Sequence, residues 1–266
     1  MIDCHAHLTD HSLREGLDER LSDAEAAGVT GIVTVSESLE NAHEVLALCD
    51  RVNRDPRRRL GLHPSIGIHP EKADLSALDG MMSLIDQHAS SIVCVGEVGL
   101  DFSRHLIGDK GSACEQAKEV QREVFARQAR RAEELGLAVN VHSRSAGHHA
   151  IKLMQDVGVT RAVLHAFDGK PKYALEAVRE GYLFSVPPCV CRSEGFQKLV
   201  KAVPLESLLL ETDSPALAPV KAARNEPKNI VVSVEWIANL KGVPAETVVE
   251  VTTANARRLF PRAFIL

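Results

Sequence analysis

The chain of 266 residues lacks the signatures that announce most common chemistries. It has no Gly-x-Ser-x-Gly elbow, no Gly-x-x-x-x-Gly-Lys phosphate loop and no dinucleotide fingerprint after an apolar strand. That sets aside esterase-type, phosphate-loop and nicotinamide-dependent activities. It lacks an excess of positive charge: 31 Lys and Arg against 36 Asp and Glu leave −5, so no overall basic field draws in long nucleic acid. Seven Phe, two Tyr and one Trp leave few aromatic platforms for a long single strand. The six cysteines, Cys4, Cys49, Cys94, Cys114, Cys189 and Cys191, follow neither a disulfide framework nor a paired Cys-x-x-Cys zinc motif, and Cys189-x-Cys191 reads as incidental. No apolar run approaches transmembrane length, and the first strand begins too early to leave room for a signal peptide. A soluble protein of a reducing intracellular compartment is expected, with nothing to separate cytosol from nucleus. No glycine- or serine-rich linker divides the chain, so a single domain over 1–266 is expected.

What is present is an alternation of short apolar runs and helical patterns. Strands are expected near residues 1–7, 31–35, 92–96, 137–142, 163–165, 182–186 and 207–211, with a weaker or turn-broken one over 60–69 because Pro64 interrupts it. Helices are expected over 13–27, 39–52, 75–89, 115–135, 146–157, 172–180, 228–240 and 245–259. Eight strands interleaved with helices predict a (β/α)8 barrel, with a doubly wound open sheet as the alternative.

Chemistry gathers at the strand ends. In Asp3-Cys4-His5-Ala6-His7, alternate side chains of a strand share a face, so His5 and His7 can grip one metal ion while Cys4 and Ala6 point away. Asp3, on the same face, is the expected carboxylate behind a ligating ring. Glu97, His142, His165 and Asp213 each stand at or just past the C-terminal end of a predicted strand, the rim on which barrel active sites are built. Each alone has a plainer explanation: an exposed turn carboxylate for Glu97, a satisfied strand-end imidazole for His142 or His165, a turn cap before Pro215 for Asp213. Their joint placement argues for a metal centre. Four imidazoles and two carboxylates suit divalent zinc, manganese, magnesium, nickel or iron, and six ligands exceed the needs of one ion with an open position. With Glu97 bridging, they divide into two sites whose ions, about 3.5–4 Å apart, would share a hydroxide and clamp a phosphoryl group.

These segments, with Gly67-Ile68-His69-Pro70, Gly96-Glu97-Val98-Gly99-Leu100-Asp101, His142-Ser143-Arg144, His165-Ala166-Phe167-Asp168-Gly169, Glu211-Thr212-Asp213-Ser214-Pro215, Arg224-Asn225-Glu226-Pro227 and Asn255-Ala256-Arg257-Arg258-Leu259-Phe260, resemble the TatD family of metal-dependent deoxyribonucleases, within the amidohydrolase-like superfamily. The resemblance spans nearly the whole chain. It implies hydrolysis of DNA phosphodiesters, often from a 3′ end, by a metal-bridging hydroxide. It implies one ion on His5, His7, Glu97 and Asp213 and another on Glu97, His142 and His165, with zinc, magnesium or manganese as the ions and Glu97 and Asp213 as the catalytic carboxylates. His69 and Arg144 match positions near the scissile phosphate, and DNA ends or single strands are the implied partner. No membrane and no obligate protein partner is expected. Cys4 departs from the Ser or Thr common between the Asp and the first His. An amidohydrolase-type enzyme cleaving a C–N or ester bond with the same ions is the alternative, although Glu97 stands where many such enzymes carry a modified lysine. A metal-binding protein without turnover is a third reading.

Overall fold

The computed structural model describes residues 1–263, and positions 264–266 of the expected domain lie outside the described residues. Eight parallel strands follow one another in sequence order: β1 (Ile2–Ala6), β2 (Gly31–Val35), β3 (Gly61–Ile66), β4 (Cys94–Gly99), β5 (Ala138–His142), β6 (Ala162–Leu164), β7 (Leu183–Val186) and β8 (Leu208–Leu210). A doubly wound sheet reverses its strand order at a switch point, and this order never reverses. The seam between the last strand and the first is drawn together just past β8. There the Asp213 amide donates to the His5 carbonyl at 2.9 Å and the His7 amide to the Ser214 carbonyl at 2.8 Å. The architecture is the expected (β/α)8 barrel.

The connecting helices are α1 (His11–Arg14), α2 (Leu17–Ala26), α3 (Leu39–Asn53), α4 (Leu75–Gln87), α5 (Arg104–Ile107) and α6 (Ser112–Glu134). They continue with α7 (Gly147–Asp156), α8 (Pro171–Arg179), α9 (Glu194–Ala202), α10 (Ile230–Lys241) and α11 (Ala245–Leu259). Ser38 caps α3 and Asp74 caps α4 by accepting from backbone amides in the first turn. Among the described residues no helix is long and apolar enough to cross a membrane.

Several elements differ from expectation, among them the short helix α5, in a stretch where none was expected. The helix expected over 13–27 is split in two, because Gly16 adopts the left-handed conformation (φ 72) in front of α2. The strand around Pro64 is unbroken: proline lacks a donor but keeps its acceptor, and the Pro64 carbonyl takes the Val93 amide at 2.9 Å. Helix α9, with only nine residues, falls in a stretch where no helix was expected.

Strand alternation sorts the core into two shells. Ile32, Leu62, Val95, Val139, Leu164, Phe184 and Leu210 pack outward under Leu21, Val45, Phe125 and Ile237 of the helices. Val33, Cys94, Val163, Leu183 and Leu209, on the opposite parity, join Cys4, Leu259 and Phe260 in a second apolar cluster. Farther toward the strand C-termini the inner positions turn polar, with Ser65, Asn140, Ser185 and Glu211 all buried. An apolar floor below and a polar layer above leave the ligand-bearing rim on a rigid base.

Candidate metal centre

Each residue expected to ligate arrives at the same rim. His5 lies within β1 and His7 one residue past it, Glu97 lies within β4, His142 ends β5, and His165 directly follows β6. Asp213 stands past β8 at φ 54, a left-handed conformation costly for a residue with a side chain, and the seam hydrogen bonds hold it there. Two glycines allow Glu97 its place. A Cβ on Gly96 would lie 2.6 Å from the Asn140 Cβ, and one on Gly99 (φ 146) would lie 2.0 Å from the His142 carbonyl oxygen. Only hydrogen fits where β4 crosses so close to β5.

Donor atoms of His5, His7 and Glu97 lie together, with Asp213 close to both imidazoles. His5 Nε2 lies 3.2 Å from His7 Nε2, 3.5 Å from Glu97 Oε2 and 3.6 Å from Asp213 Oδ1. His7 Nε2 lies 3.3 Å from the same Glu97 oxygen and 3.4 Å from the same Asp213 oxygen. Ligand atoms that share a tetrahedral zinc at its usual bond lengths stand about 3.3–3.6 Å apart. Glu97 Oε2 is buried and has no hydrogen-bond partner, an expense that a cation between these atoms would remove. The donors therefore fit a divalent ion.

The other oxygen of Glu97 faces a second group. Oε1 lies 2.7 Å from His142 Nδ1 and 2.8 Å from His165 Nε2, and those nitrogens are 3.2 Å apart. His69 Nε2 is also near, 3.4 Å from Oε1 and 3.2 Å from His142 Nδ1.

Hydrogen bonds behind the rings decide which nitrogen is a lone pair. The Asn140 amide nitrogen donates to the Cys4 carbonyl at 2.9 Å, so its oxygen accepts from His5 Nδ1–H at 2.9 Å, and His5 Nε2 is left as a donor to metal. His142 points Nε2 at Asp101 Oδ2 at 3.2 Å, which leaves Nδ1 for the site. His165 Nδ1 faces Glu211 Oε2 at 3.6 Å, an ion-pair contact too long for a hydrogen bond. Ser185 Oγ and the Ala166 amide hold that carboxylate in place. His69 is built the other way round. Its Nδ1 accepts the Glu71 amide at 3.1 Å, so in the neutral ring the proton sits on Nε2 and points into the site. With that proton on Nε2, His69 faces Glu97 and His142 as a hydrogen-bond donor.

Asp3 does not back a ligating ring as expected. Its carboxylate takes the Thr212 amide at 2.9 Å and the Thr212 hydroxyl at 2.6 Å, tying β1 to the segment that carries Asp213. Asn140, Asp101 and Glu211 do the backing, and none of them was singled out in that role. Asn140 stands two residues before His142 and Glu211 two before Asp213, so strand alternation carried the signal.

The electrostatics invite positive charge. Burial pushes the Glu97 carboxyl up, but His69, His165 and His5 together with the His142 hydrogen bond hold it well below the usual carboxylate range. Burial pulls His7 down, yet hydrogen bonds to Asp213 and Glu97 and their charges carry it well above the usual histidine range. His165, also opposed by burial, is raised to about 10 chiefly by Glu97 and Glu211. These are carboxylates gathering protons where a dication belongs.

A cleft of about 200 Å³ opens over these groups, lined by His7, Glu37, His69, Arg144 and Asp213 among others. The Arg144 guanidinium, half exposed, stands 3.7 Å from Asp101 Oδ2 at its edge. Larger surface cavities lie elsewhere, one of about 620 Å³ among Arg20, Asp23, Arg224, Glu226 and Lys228, where salt bridges join the opposite charges.

Known proteins resemble this chain over nearly its whole length. The chain is 45% identical over 265 residues to deoxyribonuclease TATDN3 of Homo sapiens, covering 98% of this chain and 95% of that one. It is 30% identical over 281 residues to the 3′-5′ ssDNA/RNA exonuclease TatD of Cronobacter sakazakii, covering 98% and 97%. Among solved structures, the TatD homolog YJJV from Escherichia coli superposes with a TM-score of 0.84 at 26% identity, covering 98% of both chains. The family described as TatD related DNase matches residues 2–261, and the chain belongs to it.

Proposed function

We propose that this chain is a metal-dependent deoxyribonuclease, one hydrolase domain across 1–266, that cleaves phosphodiesters at DNA ends or in single strands inside the cell. The observation that carries this reading is the division of one buried carboxylate, with Glu97 Oε2 facing His5 and His7 and Oε1 facing His142 and His165. His5, His7, Glu97 and Asp213 would hold one divalent ion, and Glu97, His142 and His165 a second; zinc, magnesium or manganese suits this donor set. Such ions, when bound, supply Lewis acidity toward a phosphoryl oxygen and a nucleophile from water at neutral pH.

The chain's own residues supply the rest. The His69 Nε2–H is placed to donate to a phosphate oxygen entering beside Glu97 Oε1. Arg144, whose guanidinium sits at the cleft edge, orients the same group by a charge-assisted contact. Asn140, Asp101 and Glu211 keep the imidazoles aimed. A cleft of this size takes a phosphate and its immediate neighbours. The names of the human and Cronobacter relatives, a deoxyribonuclease and a 3′-5′ ssDNA/RNA exonuclease, support the reading.

Anomalous scattering from crystals grown without added metal, combined with cleavage of labelled single-stranded, duplex and closed circular DNA, tests the proposal. Two anomalous peaks flanking Glu97 and cleavage of single strands or ends are expected. No metal at these residues, or no phosphodiester cleavage by the metal-loaded protein, overturns it.

A further inference from the structure

Aromatic residues are few, but the chain also has 12 histidines, and several of them stack. At the N-terminal ends of α7 and α8, on the rim that carries the ligands, the rings form a row. Phe102 and His149 have centroids 5.4 Å apart, His149 and His148 3.9 Å, and His148 stacks on Tyr173 at 5.2 Å with planes 24° apart. His148 and His149 are exposed, while Phe102 and Tyr173 are half-buried. Cations border both ends: Lys118 Nζ and the Arg122 guanidinium lie 5.6 and 5.5 Å from the Phe102 centroid, and Lys172 Nζ lies 4.6 Å from that of Tyr173.

The row begins next to the metal centre. Phe102 follows Asp101, the residue behind His142, and its amide donates to the Arg144 carbonyl at 3.0 Å. Lys118 pairs with Glu115 and Arg122 with Glu119, but both acids are well exposed, and such pairs are readily exchanged for a phosphate. Burial, with the charges of His148, Arg122 and Lys118, holds His149 below the usual histidine range, which suits it to stacking as a neutral ring. Nothing in the core requires exposed rings in contact with one another and flanked by cations. That combination is how proteins hold unpaired bases along a phosphate backbone.

We propose that Phe102, His148, His149 and Tyr173, with Lys118, Arg122 and Lys172, form a binding surface for the part of a single-stranded nucleic acid that is not being cut. This deepens the nuclease reading and rests on it. Bases stack on the exposed rings, the cations meet the phosphates, and the scissile end reaches the metal centre past Arg144. Duplex is disfavoured because its bases are already stacked on each other.

The test uses the metal-loaded full chain, its double variant His148→Ala with Tyr173→Ala, and the ring-preserving variant His148→Phe with Tyr173→Phe. On a long single strand the alanine variant should show a KM raised at least about fivefold per ring lost. Its kcat should be little changed, its KM penalty should shrink as the strand is shortened, and the phenylalanine variant should restore KM. A 2-aminopurine base placed outside the scissile end should be quenched by the wild type and by the phenylalanine variant, and released by the alanine variant. Equal KM and equal quenching for the wild type and the alanine variant overturn the surface. Absence of cleavage by wild type overturns the nuclease reading instead, and the quenching still decides the surface.

Discussion

The imidazoles of His5 and His165 lie face to face, centroids 3.8 Å and planes 9° apart, yet their Nε2 atoms address different oxygens of Glu97. Each ring presents an edge to its own side of the carboxylate, and removing one side should leave the other. In His165→Ala the protein should bind one ion where the wild type binds two. Elemental analysis of the metal-replete proteins checks this, and an unchanged ratio would show that His165 holds no ion.

Glu97 should be the least replaceable residue. Glu97→Gln keeps the shape but removes the charge shared between the two groups of imidazoles, and activity on DNA should fall by several orders of magnitude while the circular dichroism stays native. Near-normal turnover by a metal-loaded Glu97→Gln protein would refute the shared role.

Asn140 is not itself among the proposed ligands, yet its contact with His5 fixes that ring's tautomer. Asn140→Ala should weaken metal binding by about 10- to 100-fold, as losses behind a ligating imidazole do. Competition against a chromogenic chelator reads this, and an affinity equal to wild type would count against the tautomer argument.

Metal loading should expel protons. The raised His7 and His165 mean that the metal-free chain carries protons on nitrogens that a metal needs, so affinity should rise with pH toward about 10, the raised value of His165. The same shifts stabilise the metal-free fold below the ordinary histidine range, and this stabilisation is lost as pH climbs through the raised values. The thermal upshift caused by metal should therefore widen with pH. Calorimetry near neutral pH in two buffers of different ionisation enthalpy should show net proton release, and a buffer-independent heat would contradict the argument.

Arg144→Ala should lower kcat/KM by roughly 10- to 150-fold, the loss of one charge-assisted contact of about 1.5–3 kcal/mol, with both metals retained. Loss of an ion in that variant would move Arg144 from substrate binding to support of the centre through Asp101.

The rim on which these side chains gather was legible because strand alternation and the barrel rule both act on local sequence: His-x-His on β1 and polar residues at strand ends need no tertiary knowledge. Asn140 was passed over because a buried amide between valines reads as a strand residue until a partner across the barrel is seen. The role of Asp3 was misjudged for the same reason, since Thr212 is 209 positions away. The exposed ring row escaped notice because composition counts Phe, Tyr and Trp, while half of the row is histidine drawn from α7. The break at Gly16 was hidden in an otherwise continuous helical pattern.

The seam that joins Asp213 to His5 also sets a date in the life of the molecule. Glu97, His142 and His165 come from neighbouring strands and can meet while the chain is still being made. The group around His5 needs the first strand and the segment after the last, so it forms only once β8 has been made and the ring has shut. A nascent or truncated chain would hold at most half of the centre.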